Sequence, residues 1–378
     1  MKGILKLAYK LLVNDKSKFA ALLVGMSFAV SLMMFVTCMF VGVMYHASAT
    51  TINIDAAMWV MDPGVETPAN SIGMPDYVLD EVRSMLGVRY AVPVYSGTAQ
   101  LKLADGTYQS ASIIGLDDSS LLGRPTLTHG NIQDIYAESG FIAVDDADFS
   151  KLENPHIGSE FYLNDHRGLV VGIAKVPSSS LFGLPTLYTT YQRAIQYIPN
   201  PRYTISYVLV QPKSPSDIPE IKRQAQAVGY LALTKNEFIK RTTHFYVYHT
   251  GVGTNLLIMT VVSFVIGLSI SGQTFYAFIL ENLERFGALK AIGATSRELI
   301  GMILFQAAFA SLVGYGLGIG LCTGVIALAK YRLPQYAAMI TYPSLVLPFV
   351  MALIITAISS YVGVRRVLQV EPFDIFRG

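Results

Sequence analysis

The sequence predicts an α-helical membrane protein in which a large α+β domain is inserted between the first and second of four membrane-spanning helices. Of the 378 residues, 52% are hydrophobic and only 14% are charged, a balance typical of membrane proteins. The apolar residues cluster in four long stretches. Residues 46–250, which have the mixed composition of a globular domain, separate the first stretch from the second.

Each of the four stretches is long enough to cross a hydrocarbon layer about 30 Å thick, which takes roughly 20 helical residues. None of them contains Asp, Glu, Lys or Arg. Carriers that exploit an ion gradient usually place ionisable groups within the membrane, so the energy source of this chain is expected to lie elsewhere. The spans are assigned to residues 19–45, 251–280 (which includes the end of a stalk), 299–329 and 343–364.

The first stretch shares two features with a secretory signal: five lysines precede it, and Ala47-Ser48-Ala49 follows it like a cleavage site. The apolar region of a signal runs for about 7 to 15 residues, and this stretch is nearly twice as long. Its length therefore favours a helix that is retained in the mature protein.

Lysine and arginine concentrate on one side of the predicted spans, and this bias sets the orientation of a membrane protein. Segments 1–18, 281–298 and 365–378 are rich in these cations, whereas the connection at residues 330–342 carries only two. The three segments are therefore predicted to be cytoplasmic, and residues 46–250 and 330–342 to lie on the opposite side. Beyond the N-terminal lysines, the cytoplasmic cations are Arg285, Lys290, Arg297, Arg365, Arg366 and Arg377.

Alternating and β-branched runs in the inserted region predict strands, and amphipathic runs between them predict helices. The predicted strands are residues 57–61, 89–95, 99–103, 108–116, 141–144, 169–174 and 204–211. The predicted helices are residues 75–85 and 217–228, followed by a helical stalk at residues 235–250 whose join to the second span is softened by Gly251 and Gly253. Both cysteines lie inside spans, so this region must be held by packing alone.

No catalytic or metal-binding motif is recognisable in the inserted region. Its histidines match no H-E-x-x-H spacing, and adjacent acidic residues such as Asp117 and Asp118 point to different sides of a strand or helix. The run Ser178-Ser179-Ser180 lacks the G-x-S-x-G pattern of a nucleophile elbow. The sequence therefore predicts no catalytic residue and no metal site.

Residues 281–298 predict a rigid helix, break and helix between the second and third spans. Apolar residues recur every three positions and would stack along one side of a helix, with the charged residues largely off that stripe. The stripe comprises Leu283, Phe286, Leu289 and Ile292, and the charged residues are Glu284, Arg285 and Lys290. Gly293 suits the left-handed geometry of a helix end, and Thr295 or Ser296 can cap the next helix. Amphipathicity alone is equally consistent with a helix lying on the membrane surface.

The run RFGALKAIGA at residues 285–294 resembles the coupling-helix signature of FtsX/MacB-type, or type VII, ABC transporter permeases. Within that group the chain is most similar to DevC-like export permeases, and the likeness in topology covers essentially the whole chain. Residues 11–19 (LLVNDKSKF) and 371–377 (EPFDIFR) are similar to the basic run before the first span and to the C-terminal close of the family. In one departure, Arg285 precedes the Phe286-Gly287 pair where the family usually has a glutamate, which leaves the polarity of that contact open.

The resemblance implies that residues 281–298 insert into a groove on a separate cytoplasmic ABC ATPase, present in two copies beneath a dimer of permease protomers. An apolar knob such as Phe286 or Leu289 would fill a pocket, and charges such as Arg285 and Lys290 would fix the orientation. The chain contains no G-x-x-x-x-G-K-[ST] run, so ATP and Mg²⁺ are expected in the partner, with no cofactor bound directly. The implied coupling residues are Glu284, Arg285, Phe286, Gly287, Leu289, Lys290, Ile292 and Gly293.

Four glycines in the third span predict close helix packing, either within one protomer or between two. Gly314 and Gly318 are four residues apart, as are Gly316 and Gly320, and small residues at this spacing let a second helix approach. The run has no lysine, unlike a phosphate-binding loop. Polar residues at or within the spans predict interhelical hydrogen bonds, with a substrate path as the alternative; they are Asn255, Ser269, Ser271, Gln273 and Gln306.

The resemblance further implies that the chain is the non-catalytic permease subunit of an exporter in the bacterial inner membrane. It also implies a homodimer, without nucleic acid among its partners. Motion of its periplasmic domain would drive a lipid, glycolipid or drug-like cargo into an adaptor and an outer-membrane channel, a mode called mechanotransmission. Two alternatives stay open: a permease that releases lipoproteins from the membrane, and an FtsX-like permease that signals to a cell-wall hydrolase.

Overall fold

The computed structural model describes residues 2–146, 148–177, 184–198, 204–333 and 336–368. The chain divides into two compact units. The helical unit comprises residues 1–42, 254–332 and 338–378, and the inserted unit comprises residues 43–253 with 333–337. The serine run at 178–180 and the C-terminal motif at 371–377 lie outside the described ranges.

The inserted unit combines helices and strands, whereas the regular elements in the described part of the helical unit are all helices. The α-helices are α1 (Lys2–Asn14), α2 (Lys16–Ala47), α3 (Ala49–Ile54), α4 (Tyr77–Ser84), α5 (Tyr191–Tyr197), α6 (Ile218–Ala227), α7 (Lys235–Tyr248), α8 (Gly251–Glu281), α9 (Leu283–Ala291), α10 (Ser296–Arg332) and α11 (Tyr342–Leu368). The strands are β1 (Met58–Met61), β2 (Val88–Lys102), β3 (Tyr108–Leu116), β4 (Leu127–Gly130), β5 (Gly140–Val144), β6 (Glu160–Leu163), β7 (His166–Ala174), β8 (Thr186–Thr190), β9 (Tyr207–Pro212) and β10 (Leu231–Thr234).

Four helices, α2, α8, α10 and α11, are long and apolar enough to cross a membrane. The inserted unit follows α2 and precedes α8 along the chain. The predicted fold class, four membrane-spanning helices with a large mixed α and β domain between the first and second, is confirmed.

One pair of glycines on α10 allows close packing against α2. A Cβ atom added at Gly314 would lie 2.7 Å from the Cβ of Met26, and one added at Gly318 would lie 2.8 Å from the carbonyl oxygen of Ser27. Only glycine permits an approach this close. This pair therefore serves packing within the protomer.

The second pair of glycines, Gly316 and Gly320, faces away from these contacts. A Cβ atom added at either position would have no atom of the protomer within 4 Å. Gly324, four residues further along the helix, is equally open. The four glycines thus divide into a filled face and a face that is open within the protomer.

Helix α1 is attached to α10 by a buried hydrogen bond as well as by apolar contacts. The side-chain Nε2 of Gln306 donates to the carbonyl oxygen of Ala8 at 2.9 Å, and both residues are fully buried. The rings of Tyr9 and Phe309 meet edge to face with their centroids 5.3 Å apart. Gln306 therefore forms the interhelical hydrogen bond that the sequence predicted.

The inserted unit is built on one mixed sheet. Its strand order is β10-β1-β9-β2-β3-β8-β5-β7-β4, and β6 pairs with both β2 and β7. The pairs β3–β8 and β5–β7 are parallel and the remaining pairs are antiparallel.

Both faces of this sheet are buried against helices. Along β1, Met58 and Val60 belong to the apolar cluster that includes residues of α4, α5 and α6, and Trp59 belongs to the cluster on the opposite face. Successive side chains of a strand point to opposite faces, so every residue of β1 is buried. The Trp59 ring lies 5.6 Å from that of Phe238 on α7.

Two of the predicted strands are a single strand in the structure. Residues 89–95 and 99–103 belong to β2, which pairs with β9 over residues 88–94 and with β3 over residues 95–102. The sequence analysis left residues 96–98 between the two strands unassigned. A Cβ atom at Gly97 would lie 2.6 Å from the Tyr95 hydroxyl oxygen, so this glycine makes room for a ring within a continuous strand.

The sequence missed four short strands, β4, β6, β8 and β10. Strands this short stand out in the sequence when they are apolar throughout, as β1 and β5 are, but each of the four missed strands contains a polar residue. In β8, which is fully buried, the threonines suggest a polar connection, although Thr189 satisfies its hydroxyl by donating to the carbonyl oxygen of Gly140 at 3.0 Å.

Helix α7 is firmly attached to the inserted unit. Thr234 and Glu237 form a capping box at its start, and the Glu237 carboxylate also pairs with Lys222 at 2.5 Å. One turn further on, the Nε of Arg241 donates to the carbonyl oxygen of Val65 at 2.9 Å. Any displacement of α7 would therefore act directly on the sheet.

Helices α7 and α8 are separated by a short break, whereas the sequence predicted a stalk helix that continues into the second span through a join softened by Gly251 and Gly253. Helix α7 ends at Tyr248 and α8 begins at Gly251. A Cβ atom at Gly253 would lie only 2.1 Å from the carbonyl oxygen of Val247. The backbone at position 253 therefore has room only for glycine.

The two cysteines of the chain meet between α2 and α10. Cys38 and Cys322 are 0% and 1% exposed, and their thiol groups lie in hydrogen-bonding contact. Two thiols in contact can form a disulfide when the backbone geometry permits it.

We expect a small membrane-permeant oxidant, iodine, to convert these two thiols into an intramolecular disulfide in the membrane-embedded protein, with reduction of iodine to iodide. After denaturation, mass spectrometry should show loss of both alkylatable thiols together. In the control Cys322→Ser, Cys38 should stay alkylatable. Two free thiols in oxidised wild-type protein would contradict the packing of α2 against α10.

Candidate coupling site

Helix α9 is a short, separate helix between the two long helices α8 and α10 of the helical unit. Its N-cap, Asn282, is 3% exposed. The Asn282 Nδ2 donates to the carbonyl oxygen of Phe278 at 2.8 Å, and its Oδ1 accepts from Arg285 at 2.8 Å. The sequence analysis missed this residue, although asparagine just before an amphipathic helix is a common helix-capping signal.

The C-terminal end of α9 forms a Schellman motif. The N–H of Gly293 donates to the carbonyl oxygen of Lys290, and the N–H of Ala294 donates to that of Leu289. Gly293 has a φ of +107°, which residues with a side chain rarely adopt. Ala294 and Leu289 both pack against the apolar cluster beneath the helix. The predicted break at Gly293 is therefore present.

The next helix begins with a capping box. The Glu298 carboxylate accepts from the backbone N–H of Thr295 at 2.8 Å, and the N–H of Glu298 faces the Thr295 hydroxyl oxygen at 3.4 Å. With the Schellman motif, this box fixes both sides of the break between α9 and α10. Helix, break and helix therefore form one defined elbow, as predicted.

The structure corrects the predicted role of Phe286. Its ring is 1% exposed and packs in a cluster with residues of α1, α8 and α10, among them Leu12 and Ile303. Gly287 is also buried. Because the stripe turns toward the chain's own helices, Phe286 is an internal anchor rather than a knob available to a partner, and Leu289 is partly buried beside it.

The other predicted residues lie on or near the outer side of α9. Ile292, at the C-cap, departs from the buried stripe and is 84% exposed. Glu284, Arg285 and Gly293 are exposed, and Lys290 is half-buried. The outward surface of α9, here called the α9 face, consists of Glu284, Arg285, Ala288, Ala291, Ile292 and Gly293.

An ion pair holds the end of α8 next to the start of α2. The Lys18 ammonium group pairs with Glu281 and also with Asp15, whose carboxylate lies 2.7 Å away. The hydrogen bond from Lys18 holds the pKa of Asp15 below its ordinary value. The segment that carries the α9 face is thus attached at both ends, by this ion pair and by the capping box at Thr295.

Within the described ranges, no group of three or more His, Cys, Asp or Glu side chains is arranged to hold a metal ion. The exposed residues of the α9 face offer charge and apolar surface on a stiff support. Such a surface suits contact with another protein better than chemistry on a bound substrate.

Comparison with known proteins gives two matches that together cover most of the chain. Residues 257–372 match the family described as FtsX-like permease C-terminal, and residues 19–228 match the one described as MacB-like periplasmic core domain. The second match alone covers more than half of the chain.

Similar proteins include the uncharacterized ABC transporter permease Rv0072 of Mycobacterium tuberculosis H37Rv, 25% identical over 345 residues that cover 89% of each chain. The uncharacterized ABC transporter permease Mb2592 of Mycobacterium bovis is 23% identical over 94% of this chain and 93% of its own length. A putative hemin transport system permease protein, HrtB of Staphylococcus haemolyticus, is 27% identical over 33% of this chain and 34% of its own.

Two solved structures are also similar to part of the chain. The extracellular domain of the ABC-type transporter YknZ from Gram-positive bacteria matches 47% of this chain and 99% of its own, with a TM-score of 0.35 and 14% identity. The periplasmic region of MacB from Actinobacillus actinomycetemcomitans matches 50% of this chain and 92% of its own, with a TM-score of 0.37 and 13% identity. On the two family matches, the chain belongs to the FtsX/MacB family of ABC transporter permeases.

Proposed function

We propose that this permease is the mechanical subunit of an ABC exporter, in which a separate cytoplasmic ATPase moves the inserted unit by pressing on the α9 face. The observation that carries the proposal is the rigid mounting of α9: a buried Phe286 beneath the helix and defined caps at both sides of its break. A helix mounted in this way transmits a push to its neighbours instead of absorbing it.

The chain provides a continuous path for that push. Helix α8 has 31 residues, about 46 Å at 1.5 Å per residue, and joins α9 through Asn282. At its other end it follows α7, which is held in the inserted unit by Phe238, Glu237 and Arg241. Motion at α9 would therefore reach the sheet through two helices and one glycine-dependent break.

The partners follow from this arrangement. Two copies of the ATPase, which would bind ATP and Mg²⁺, serve a pair of permease protomers, most simply identical. The open face at Gly316 and Gly320 is a surface on which the second protomer can pack. The spans carry no Asp, Glu, Lys or Arg over residues 19–45, 254–280, 299–329 and 343–364, which supports a cargo path outside them.

In this scheme the inserted unit is periplasmic, with both termini in the cytoplasm. It would drive a lipid, glycolipid or drug-like cargo toward an adaptor and an outer-membrane channel. An adaptor protein that co-purifies with the complex would support export, whereas a lipoprotein-binding chaperone would support lipoprotein release.

The first test concerns the α9 face. Ile292→Asp places a charge on an 84% exposed side chain, and we expect it to reduce co-purification of the ATPase in mild detergent at least about tenfold, as for an interface hot spot. The ATPase is identified by mass spectrometry as a co-purifying chain with a nucleotide-binding loop. In the control, Ile157→Asp changes an exposed isoleucine of the inserted unit and should leave recovery unchanged.

Phe286→Ala tests the buried anchor beneath α9 and leaves the exposed residues of the α9 face unchanged. Removing this buried ring should cost about 3–5 kcal/mol of local stability, seen as a lower thermal midpoint of the detergent-solubilised permease.

If Ile292→Asp leaves ATPase recovery at the wild-type level, the proposed contact surface is wrong.

A second test concerns the break between α7 and α8. Gly253→Ala would force its Cβ against the Val247 carbonyl, so we expect the ATPase to bind normally while motion of the inserted unit is at least halved. Motion is measured as the ATP-dependent change in distance between spin labels at Leu86→Cys, an exposed position, in the two protomers. Gly272→Ala, in the same helix with ordinary contacts, is the control, and an equal response in both variants would contradict the path through α7.

A third test concerns the open glycine face. Gly316→Ile with Gly320→Ile would fill it, and we expect the permease in lipid nanodiscs to shift from dimer to monomer by mass photometry. Gly301→Ile, at an equally open position of α10, should leave the dimer intact. A dimer that survives the double substitution would place the interface elsewhere.

A further inference from the structure

A basic groove lies between α1 and α9 in the helical unit. It has a volume of about 540 Å³, within the roughly 300–1,000 Å³ usual for small-molecule sites. Three cations line it, Lys10 and Lys16 from the N-terminal segment and Arg285 from α9. Leu7, Tyr9 and Asn14 are also part of its wall.

Among the described residues, those that line this groove include no acidic side chain. The nearby carboxylates of Asp15 and Glu281 are both engaged by Lys18, which is outside the lining. The Arg285 side chain donates to the neutral amide oxygen of Asn282. The groove therefore holds three positive charges and no lining carboxylate, which favours an anionic ligand.

The apolar surface beside these charges indicates which anion fits. Leu7 and Tyr9 are 38% and 42% exposed on the same helix as Lys10. The groove also lies directly before the apolar stretch that begins at Phe19, and basic residues next to a membrane-spanning helix attract anionic lipid headgroups. A phospholipid would match both the charges and the apolar side chains, whereas free phosphate would match the charges alone.

We propose that the groove between α1 and α9 binds the phosphate-bearing headgroup of an anionic phospholipid, with Lys10, Lys16 and Arg285 around the phosphate. The acyl chains extend past Leu7 and Tyr9 toward the hydrocarbon layer. Because Arg285 belongs to the α9 face, the bound lipid links the N-terminal helix to the segment assigned to the ATPase. The lipid site does not depend on that assignment, since it rests on the helical unit alone.

The test is native mass spectrometry of the full-length permease released from mixed micelles that contain phosphatidylglycerol and phosphatidylcholine. We expect wild-type protein to retain phosphatidylglycerol selectively. Lys10→Gln with Lys16→Gln should weaken that retention about 25-fold, roughly fivefold for each lysine near an anionic headgroup. ATPase recovery, measured in parallel, reports separately on the proposed function.

The matched control is Lys6→Gln with Arg365→Gln, which also removes two exposed cations but none that lines the groove. It should retain phosphatidylglycerol like the wild type. Equal loss in both double variants, or no loss in the first, would overturn the proposal. Displacement of the lipid by an equal concentration of glycerol 1-phosphate would also overturn it, because a soluble anion would then satisfy the site.

Discussion

The burial of Phe286 beneath α9 is the contact on which the other features of the helical unit depend. Its ring joins α1, α8 and α10 in one apolar cluster, and it fixes which side of α9 is turned outward. Because Phe286 faces inward, Glu284, Arg285 and Ile292 on the α9 face are exposed. A short helix of nine residues would have little stability alone, so this tertiary contact also maintains α9 as a helix.

Periodicity in the sequence identified α9, its break at Gly293 and the cap at Thr295, because these features depend on local geometry. Periodicity did not show whether the apolar stripe of α9 packs on the chain's own helices or on a partner. Spacing at three residues states only that Leu283, Phe286 and Leu289 share a side, and a helix uses the same pattern whether it packs on its own chain or on another protein. Ile292 continued the spacing but sits at the C-cap, where the chain leaves the helix, so its side chain points to solvent.

Sequence spacing does not show which neighbour a residue packs against, and this limit explains the other differences between the predictions and the structure. The equal spacing of the four glycines on α10 could not show that Gly314 and Gly318 meet α2 while Gly316 and Gly320 do not. In the inserted unit, the short strands β1 and β5 were predicted because they are apolar throughout, whereas β4, β6, β8 and β10, which each contain a polar residue, were missed. The sequence analysis divided β2 into two strands on either side of Gly97. That glycine makes room for the ring of Tyr95, and the spacing of residues does not show this role.

The distribution of cysteine has a consequence for biogenesis. The inserted unit, residues 43–253 with 333–337, contains no cysteine, and its sheet is stabilised by helices packed on both faces. This unit can therefore reach its native state without a thiol oxidase or a disulfide isomerase. Its maturation is therefore independent of oxygen supply and of the thiol chemistry of the surrounding compartment.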